Sequence, residues 1–214
     1  MSLVDRLSGL YTGAIYDVLR ARGLADQALP ASLNALEAAW ATAGEIFTVS
    51  GHVEEGLDEH ECLVRWTTFL GAAPPDSVVI CQPNDSSVSH MGELSAETLH
   101  HRGVRGYIVD GGCRDVALIA SLGFPVWCRY TTPADIVGRW SVGEMGEPIT
   151  IGDVTIESGD YVAADRDGVV IIPRGVAEGV IEEAERVMQT ENLVRKAILE
   201  GEDPRAAYLN HGKF

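Results

Sequence analysis

Lysine is nearly absent from this 214-residue chain. Of its 16 basic residues two are lysine, Lys196 and Lys213, and the other fourteen are arginine. Both lysines lie near the C-terminal end, so a buried imine-forming lysine is not expected. Positive charge is scarce overall. The 32 acidic residues leave a formal net charge of −16, a field that repels a nucleic-acid backbone or an anionic membrane. Cysteine is limited to Cys62, Cys81, Cys113 and Cys128, with no CxxC spacing, which points to buried free thiols rather than disulfides or a structural zinc. No run approaches the ~18 apolar residues of a membrane helix. The N-terminal segment lacks the uninterrupted apolar core and small-residue cleavage site of a signal peptide, so the expected compartment is the cytoplasm. There is no P-loop and no G-x-S-x-G, and Gly111-Gly112 lacks the third glycine of a dinucleotide fingerprint.

Apolar residues make up 46 % of the chain and charged residues 22 %, an ordinary globular composition that excludes a disordered chain. We expect one domain over 1–214, helical at its N-terminus (about 1–25) and closed by a long C-terminal helix (about 174–200). Apolar spacing over residues 3–22 predicts one helix ending at Gly23. Residues 39–50 predict a strand, HVEEGLDEHE an acidic loop, 60–70 a short helix and 78–83 a buried strand. Next come a helix at 93–102, a strand at 107–110, a helix at 115–122 and a strand at 125–129. That alternation, with short glycine-bearing turns, predicts an α/β unit with a largely parallel sheet. The segment 149–173 holds three β runs separated by Gly-Asp and Asp-Gly turns, the chemistry of antiparallel hairpins. Residues 201–214 are polar and are expected to be loosely held.

Two of the α/β turns could carry chemistry, because open parallel sheets bind ligands at the carboxyl ends of their strands. The turn Gly92-Glu93-Leu94-Ser95 opens a helix whose unpaired N–H groups and dipole attract a carboxylate or phosphate. The turn Asp110-Gly111-Gly112-Cys113-Arg114-Asp115 offers a guanidinium suited to a carboxylate or enolate oxygen, followed by a hard oxygen ligand for a divalent metal. Each residue also has an ordinary use. Asp115 could be a helix N-cap, Glu93 a first-turn carboxylate and Arg114 a surface arginine. Together they make a candidate site. His52 and His60 in the acidic segment lack metal-ligand spacing, His100-His101 read as helix capping, and His90 lies at the rim of the first turn.

Residues 92–129 resemble the family that contains the 4-hydroxy-4-methyl-2-oxoglutarate/4-carboxy-4-hydroxy-2-oxoadipate aldolases and the RraA regulators of ribonuclease E. The matching segments are GEL at 92–94, RGVRGYIVDGGCRD at 102–115, LGFPV at 122–126 and SGDYVAADRDGVVIIP at 158–173. The resemblance implies an α/β fold of the swivelling β/β/α sandwich type, assembled as a trimer or a hexamer with sites between subunits. It assigns Arg114 to the pyruvyl oxygen and the enolate, and Asp115 to the divalent metal. The amides of Gly92, Glu93, Leu94 and Ser95 would hold the pyruvate carboxylate, and Glu93 would support metal-bound water. A glutamate of the neighbouring subunit's C-terminal helix completes the family site, with Glu191 the better match and Glu185 the weaker. The family's aldolases carry a lysine after the LGFPV strand; here that region reads ADIVGRW, so either Arg139 is the substitute or that contact is lost. Cys113 is expected to pack rather than to react.

Carbon–carbon cleavage beside a pyruvyl unit needs an electron sink, and with imine catalysis disfavoured a divalent metal is the remaining route. Mg²⁺ or Mn²⁺ suits carboxylate and water ligands. The expectation is therefore a metal-dependent aldolase releasing pyruvate from a 4-hydroxy-2-oxo acid, with oxaloacetate decarboxylation as a side activity. The competing expectation is an RraA-like regulator that docks on a ribonuclease or another enzyme and catalyses nothing. Glu93 separates the two, since the regulator branch tends to carry a neutral residue in that turn.

Overall fold

A computed structural model describes residues 1–212, beginning with two short helices, α1 (Leu3–Leu7) and α2 (Thr12–Ala21). Strands β1 (Asn34–Ala35) and β2 (Thr42–Val53) lead to α3 (Glu59–Ala72) and β3 (Ser77–Gln82). There follow α4 (Glu93–His101), β4 (Gly106–Val109), β5 (Gly112–Cys113), α5 (Val116–Leu122), β6 (Val126–Cys128) and β7 (Tyr130–Thr131). Strands β8 (Trp140–Met145), β9 (Ile149–Ile151), β10 (Val154–Ile156), β11 (Tyr161–Ala164) and β12 (Val169–Ile172) precede α6 (Ala177–Leu199) and α7 (Pro204–His211).

Strands β2, β3, β4 and β6 are parallel and form the centre of an eight-stranded sheet, ordered β1-β6-β4-β3-β2-β11-β12 with β8 also paired to β2. The near-continuous apolar sequences of β3, β4 and β6 follow from burial on both faces. Alternate side chains divide between two cores. Val79, Cys81, Tyr107, Val109 and Val126 pack toward α3, α4 and α5, with Trp66, Phe69, Leu99 and Ile119. Val78, Ile80, Ile108 and Trp127 face the β9–β10 hairpin and the inner side of β11 and β12, meeting Ile151, Ile156, Val162 and Ile171. The outer side of β11 and β12 (Ala163, Val170, Ile172) is covered by α1, α2 and α6. The result is the expected mixed α/β layering, a curved sheet carrying helices on one face and a second β layer on the other.

The structure differs from the sequence expectation in several places, and residues 149–172 hold four strands, β9 to β12, where three β runs are expected. The helix expected over 3–22 is two helices, because the Asp165 carboxylate accepts from both the N–H and the hydroxyl of Thr12 and starts α2 there. The acidic segment is not a free loop: His52 and Val53 end β2, and Asp58 caps α3 by accepting from the Glu61 N–H at 3.0 Å. Strand β8 pairs antiparallel with the end of β2 in a stretch for which no element was expected. Residues 204–211 form α7, capped by the Asp203 carboxylate with Pro204 in the first turn.

Beneath the end of β3 the fully buried Trp140 donates its indole N–H to the Pro83 carbonyl at 2.7 Å and meets Trp66 and His90 edge-on. Trp140→Ala removes a large buried side chain and strands that carbonyl, and should destabilise the fold by about 3–5 kcal/mol. Urea unfolding at fixed protein concentration measures this; a loss below ~1 kcal/mol contradicts it.

Candidate active site

The two turns singled out in the sequence meet in space. Gly92 caps α4, and Asp115 occupies the cap position of α5 with a left-handed backbone, φ 56°. Aspartate tolerates that region better than most residues, yet the conformation is uncommon and must be held by its surroundings. Asp115 makes no side-chain cap to its own helix. Its Oδ2 instead accepts from the Glu93 N–H at 3.1 Å, at the positive end of α4. Arg114 is fixed from behind, its backbone N–H donating to the Met91 carbonyl at 2.9 Å. Its guanidinium lies between two carboxylates, with Nε 3.5 Å from Asp115 Oδ2 and Nη1 3.2 Å from Asp135 Oδ2.

Glycine is required where these groups converge. A Cβ on Gly92 would stand 2.9 Å from Asp115 Oδ2 and 3.2 Å from Arg114 Nε, so only a bare backbone lets the carboxylate reach α4. The Gly111-Gly112 pair answers a second crowding. A Cβ on Gly111 would lie 2.5 Å from His90 Nδ1, and one on Gly112 2.5 Å from the Tyr130 ring and the Val88 carbonyl. His90 is wholly buried, more than the rim position expected of it. Its N–H donates to the Gly112 carbonyl at 2.9 Å, and its Nδ1 accepts from the Gly112 N–H at 3.4 Å. Nε2 faces Asp85 Oδ2 at 3.3 Å without an aligned hydrogen bond.

These groups line a cleft of about 390 Å³ bounded by α3, the start of α4, the Arg114 turn and residues 135–137. Its lining combines the charged Glu93, Arg114, Asp115 and Asp135 with Leu63, Trp66 and Leu70 of α3 and the hydroxyl-bearing Thr67 and Thr98. Ser95 turns its hydroxyl to the Trp66 indole, accepting at 2.9 Å, and Leu94 projects outward, 72 % exposed. The first N–H of α4 is committed to Asp115, which leaves the Leu94 and Ser95 amides as the helix-end donors for an anion. A larger groove of about 680 Å³ along Leu7–Thr12 and Arg105 lies at the amino ends of the parallel strands, away from this chemistry.

Other candidates are placed elsewhere. Glu185 is tied to Arg6 in a two-pronged ion pair, and Glu191, on α6, accepts from the Tyr11 hydroxyl. Neither lines the cleft of its own chain. Burial and that Glu191 contact push the Tyr11 phenol up to about 12. Arg139 is exposed and does not line the cleft; its neighbour Asp135 holds Arg114, a role that nothing in ADIVGRW marks. All four cysteines are free and buried, and burial pushes Cys81 up to about 12 and Cys128 up to about 11, which keeps them protonated.

Whether a divalent cation suits this donor set can be judged from the residues. No group of three His, Cys, Asp or Glu side chains converges among the described residues, so the chain alone forms no closed cage. The cleft does offer hard carboxylate oxygens, with Oδ2 of Asp115 already oriented by its hydrogen bond from the Glu93 N–H and its ion pair with Arg114. One or two carboxylates plus water and substrate oxygens is the arrangement Mg²⁺ favours, so the residues fit such an ion.

A family profile described as RraA-like, Aldolase/RraA, matches residues 12–171. A protein of Halalkalibacterium halodurans provisionally named 4-hydroxy-4-methyl-2-oxoglutarate aldolase is 33 % identical over 138 residues, covering 64 % of this chain and 65 % of that protein. The chain spans less than two thirds of the length of the curated relatives it matches first, at 65 %, 54 % and 32 %. A solved structure described as novel cellulases from microbes of the gut ecosystem is 33 % identical, with TM-score 0.83 over 89 % of this chain and 85 % of that one. Streptomyces coelicolor RraAS2, described as an unusual member of the RNase ES inhibitor RraA family, is 25 % identical, with TM-score 0.79 over 90 % and 95 % of the two chains. One scaffold thus carries several descriptions, and the chemistry must be argued from the cleft.

Burial pushes His90 down to about 4 against the opposing pull of Asp85. An unfolded histidine titrates near 6.5, so between pH 6.5 and about 4 the unfolded chain binds a proton that the folded chain refuses. His90 should therefore cost stability progressively as pH falls through that window and add no further loss below it. Chemical denaturation from pH 7.5 to 4 should show this limb, flattened in His90→Gln; an equal slope in both proteins refutes the assignment.

Proposed function

The chain belongs to the RraA-like (Aldolase/RraA) family, and from that premise we propose that it is a carbon–carbon lyase acting on a 2-oxo acid with a pyruvyl half. The observation that carries this reading is Asp115, left-handed and turned from its own helix toward the start of α4 beside Arg114. A helix-capping aspartate would bond its own helix, and a surface arginine would not be held between two carboxylates in a cleft.

The substrate carboxylate is received by the Leu94 and Ser95 amides at the positive end of α4. Arg114 directs its guanidinium at the 2-oxo oxygen, where negative charge develops as the C3–C4 bond breaks. The 4-hydroxyl proton passes to water held by the Glu93, Asp115 and Asp135 carboxylates, and the bonding pair enters the pyruvate enolate, which is then protonated. Mg²⁺ or Mn²⁺ held by Asp115, with Glu93 supporting through water and Glu191 of a neighbouring copy as a further ligand, would polarise the 2-oxo group. Loss of CO₂ from oxaloacetate yields the same enolate, so the same residues serve that reaction. A homo-oligomer, trimer or hexamer, is the assembly in which Glu191 would reach a second copy's cleft. Asp135 is a positioning residue: it holds the guanidinium that meets the substrate.

Pyruvate release from oxaloacetate and from 4-hydroxy-2-oxo acids, coupled to lactate dehydrogenase, tests the reading. Activity should disappear with EDTA and return with Mg²⁺ or Mn²⁺. Arg114→Ala and Asp115→Ala should each lower kcat by about 10²-fold or more, whereas Asp135→Asn should retain part of it. EDTA-insensitive turnover sinks the metal route. Absence of turnover across the panel favours the non-catalytic, partner-binding alternative.

A further inference from the structure

We infer that the substrate's second half, the part released as an aldehyde or ketone, is uncharged and apolar. The substrate class is then a monocarboxylic 4-hydroxy-2-oxo acid with a hydrocarbon tail. This inference rests on the lyase reading and deepens it.

The cleft has two unlike walls. The pyruvyl half is assigned to the polar wall by the α4 amides and Arg114, which leaves the tail to the other. That wall is Leu63, Trp66 and Leu70 of α3 together with Ile136 and Val137; Thr67 and Thr98 also line the cleft, and their hydroxyls already donate to the Leu63 and Leu94 carbonyls at 2.7 Å. Trp66, Leu70 and Ile136 are nearly buried, and the Trp66 ring is held in place by its hydrogen bond to Ser95. At about 390 Å³ the cleft exceeds what a pyruvyl unit fills. Water displaced from these side chains by a hydrocarbon tail favours binding.

A distal carboxylate finds the opposite conditions. Arg114 is the one arginine or lysine lining the cleft among the described residues, and it is already flanked by Asp115 and Asp135. Arg139, the candidate substitute for the family's lysine, is exposed outside the cleft, and its carbonyl accepts from the Glu54 N–H at 2.8 Å. A second carboxylate would therefore lose its water against Trp66 and Ile136 without gaining a cationic partner from this chain, while Glu93, Asp115 and Asp135, which line the same cleft, repel it. The retro-aldol balance does not depend on the tail. The C3–C4 pair becomes the enolate, the hydroxyl proton goes to water, and C4 leaves as a carbonyl whatever it carries.

The test compares kcat/KM for pyruvate release, with Mg²⁺ present, from 4-hydroxy-2-oxopentanoate, 4-hydroxy-2-oxoheptanoate and 4-hydroxy-2-oxoglutarate. The propyl-tailed heptanoate should exceed the methyl-tailed pentanoate by about tenfold or more, the worth of methylenes in an apolar pocket. The carboxylate-tailed glutarate should fall at least tenfold below the pentanoate. Leu63→Arg, at the accessible rim, should raise kcat/KM on the glutarate by about tenfold, and Arg139→Ala should change none of the three. A wild-type preference for the glutarate, or a selective loss on it in Arg139→Ala, overturns the inference and leaves the lyase reading standing. No pyruvate from any of the three removes both.

Discussion

Asp115 turns its carboxylate away from the helix it begins and gives it to the first N–H of α4, so that two turns separated by a helix and a strand become one site. The rest of the arrangement answers to that contact. The left-handed backbone at Asp115 aims the carboxylate, the missing side chain at Gly92 admits it, and Arg114 is carried into the cleft beside it. A carboxylate at the positive end of a helix is stabilised there, which offsets part of the cost of the uncommon backbone. That same N–H is lost to any incoming ligand, leaving the next two amides to hold it.

The floor under this contact is rigid for reasons of packing. His90 grips both polar groups of Gly112, while the ring of Tyr130 and the carbonyl of Val88 press on the same residue. Trp140 closes the space beneath, in contact with His90 and Trp66. On the lyase reading proposed above, a guanidinium that meets developing charge gains from such support, because reorganisation at the moment of reaction subtracts from stabilisation.

Much of this was legible in the residues, and the limits have physical causes. The apolar runs of β3, β4 and β6 announced buried parallel strands, and the glycine-bearing turns pointed to Gly92, Glu93, Arg114 and Asp115 as a group. What the sequence left open was the direction of the Asp115 side chain, since a capping aspartate and one that reaches elsewhere read identically. Asp135 was invisible because its partner is reached only through tertiary folding. The break between α1 and α2 has its cause in Asp165, remote in sequence and adjacent in space. Strand β8 exists because the end of β2 offers it an edge, which no local pattern reveals. The helix α7 was legible: Asp203-Pro204 is a start signal that the polar character of the tail obscured.

The two walls of the cleft also come from separate parts of the chain. The charged groups Glu93, Arg114 and Asp115 sit on the turns that open α4 and α5, whereas the apolar surface belongs to α3 and to residues 136–137. Substitutions on one wall need not disturb the other. A lineage could therefore exchange one carbonyl product for another by drift along a single helix face, keeping its reaction intact, or lose the reaction at two turns and retain the scaffold for binding. Divergence of both kinds is what such a division of the pocket permits.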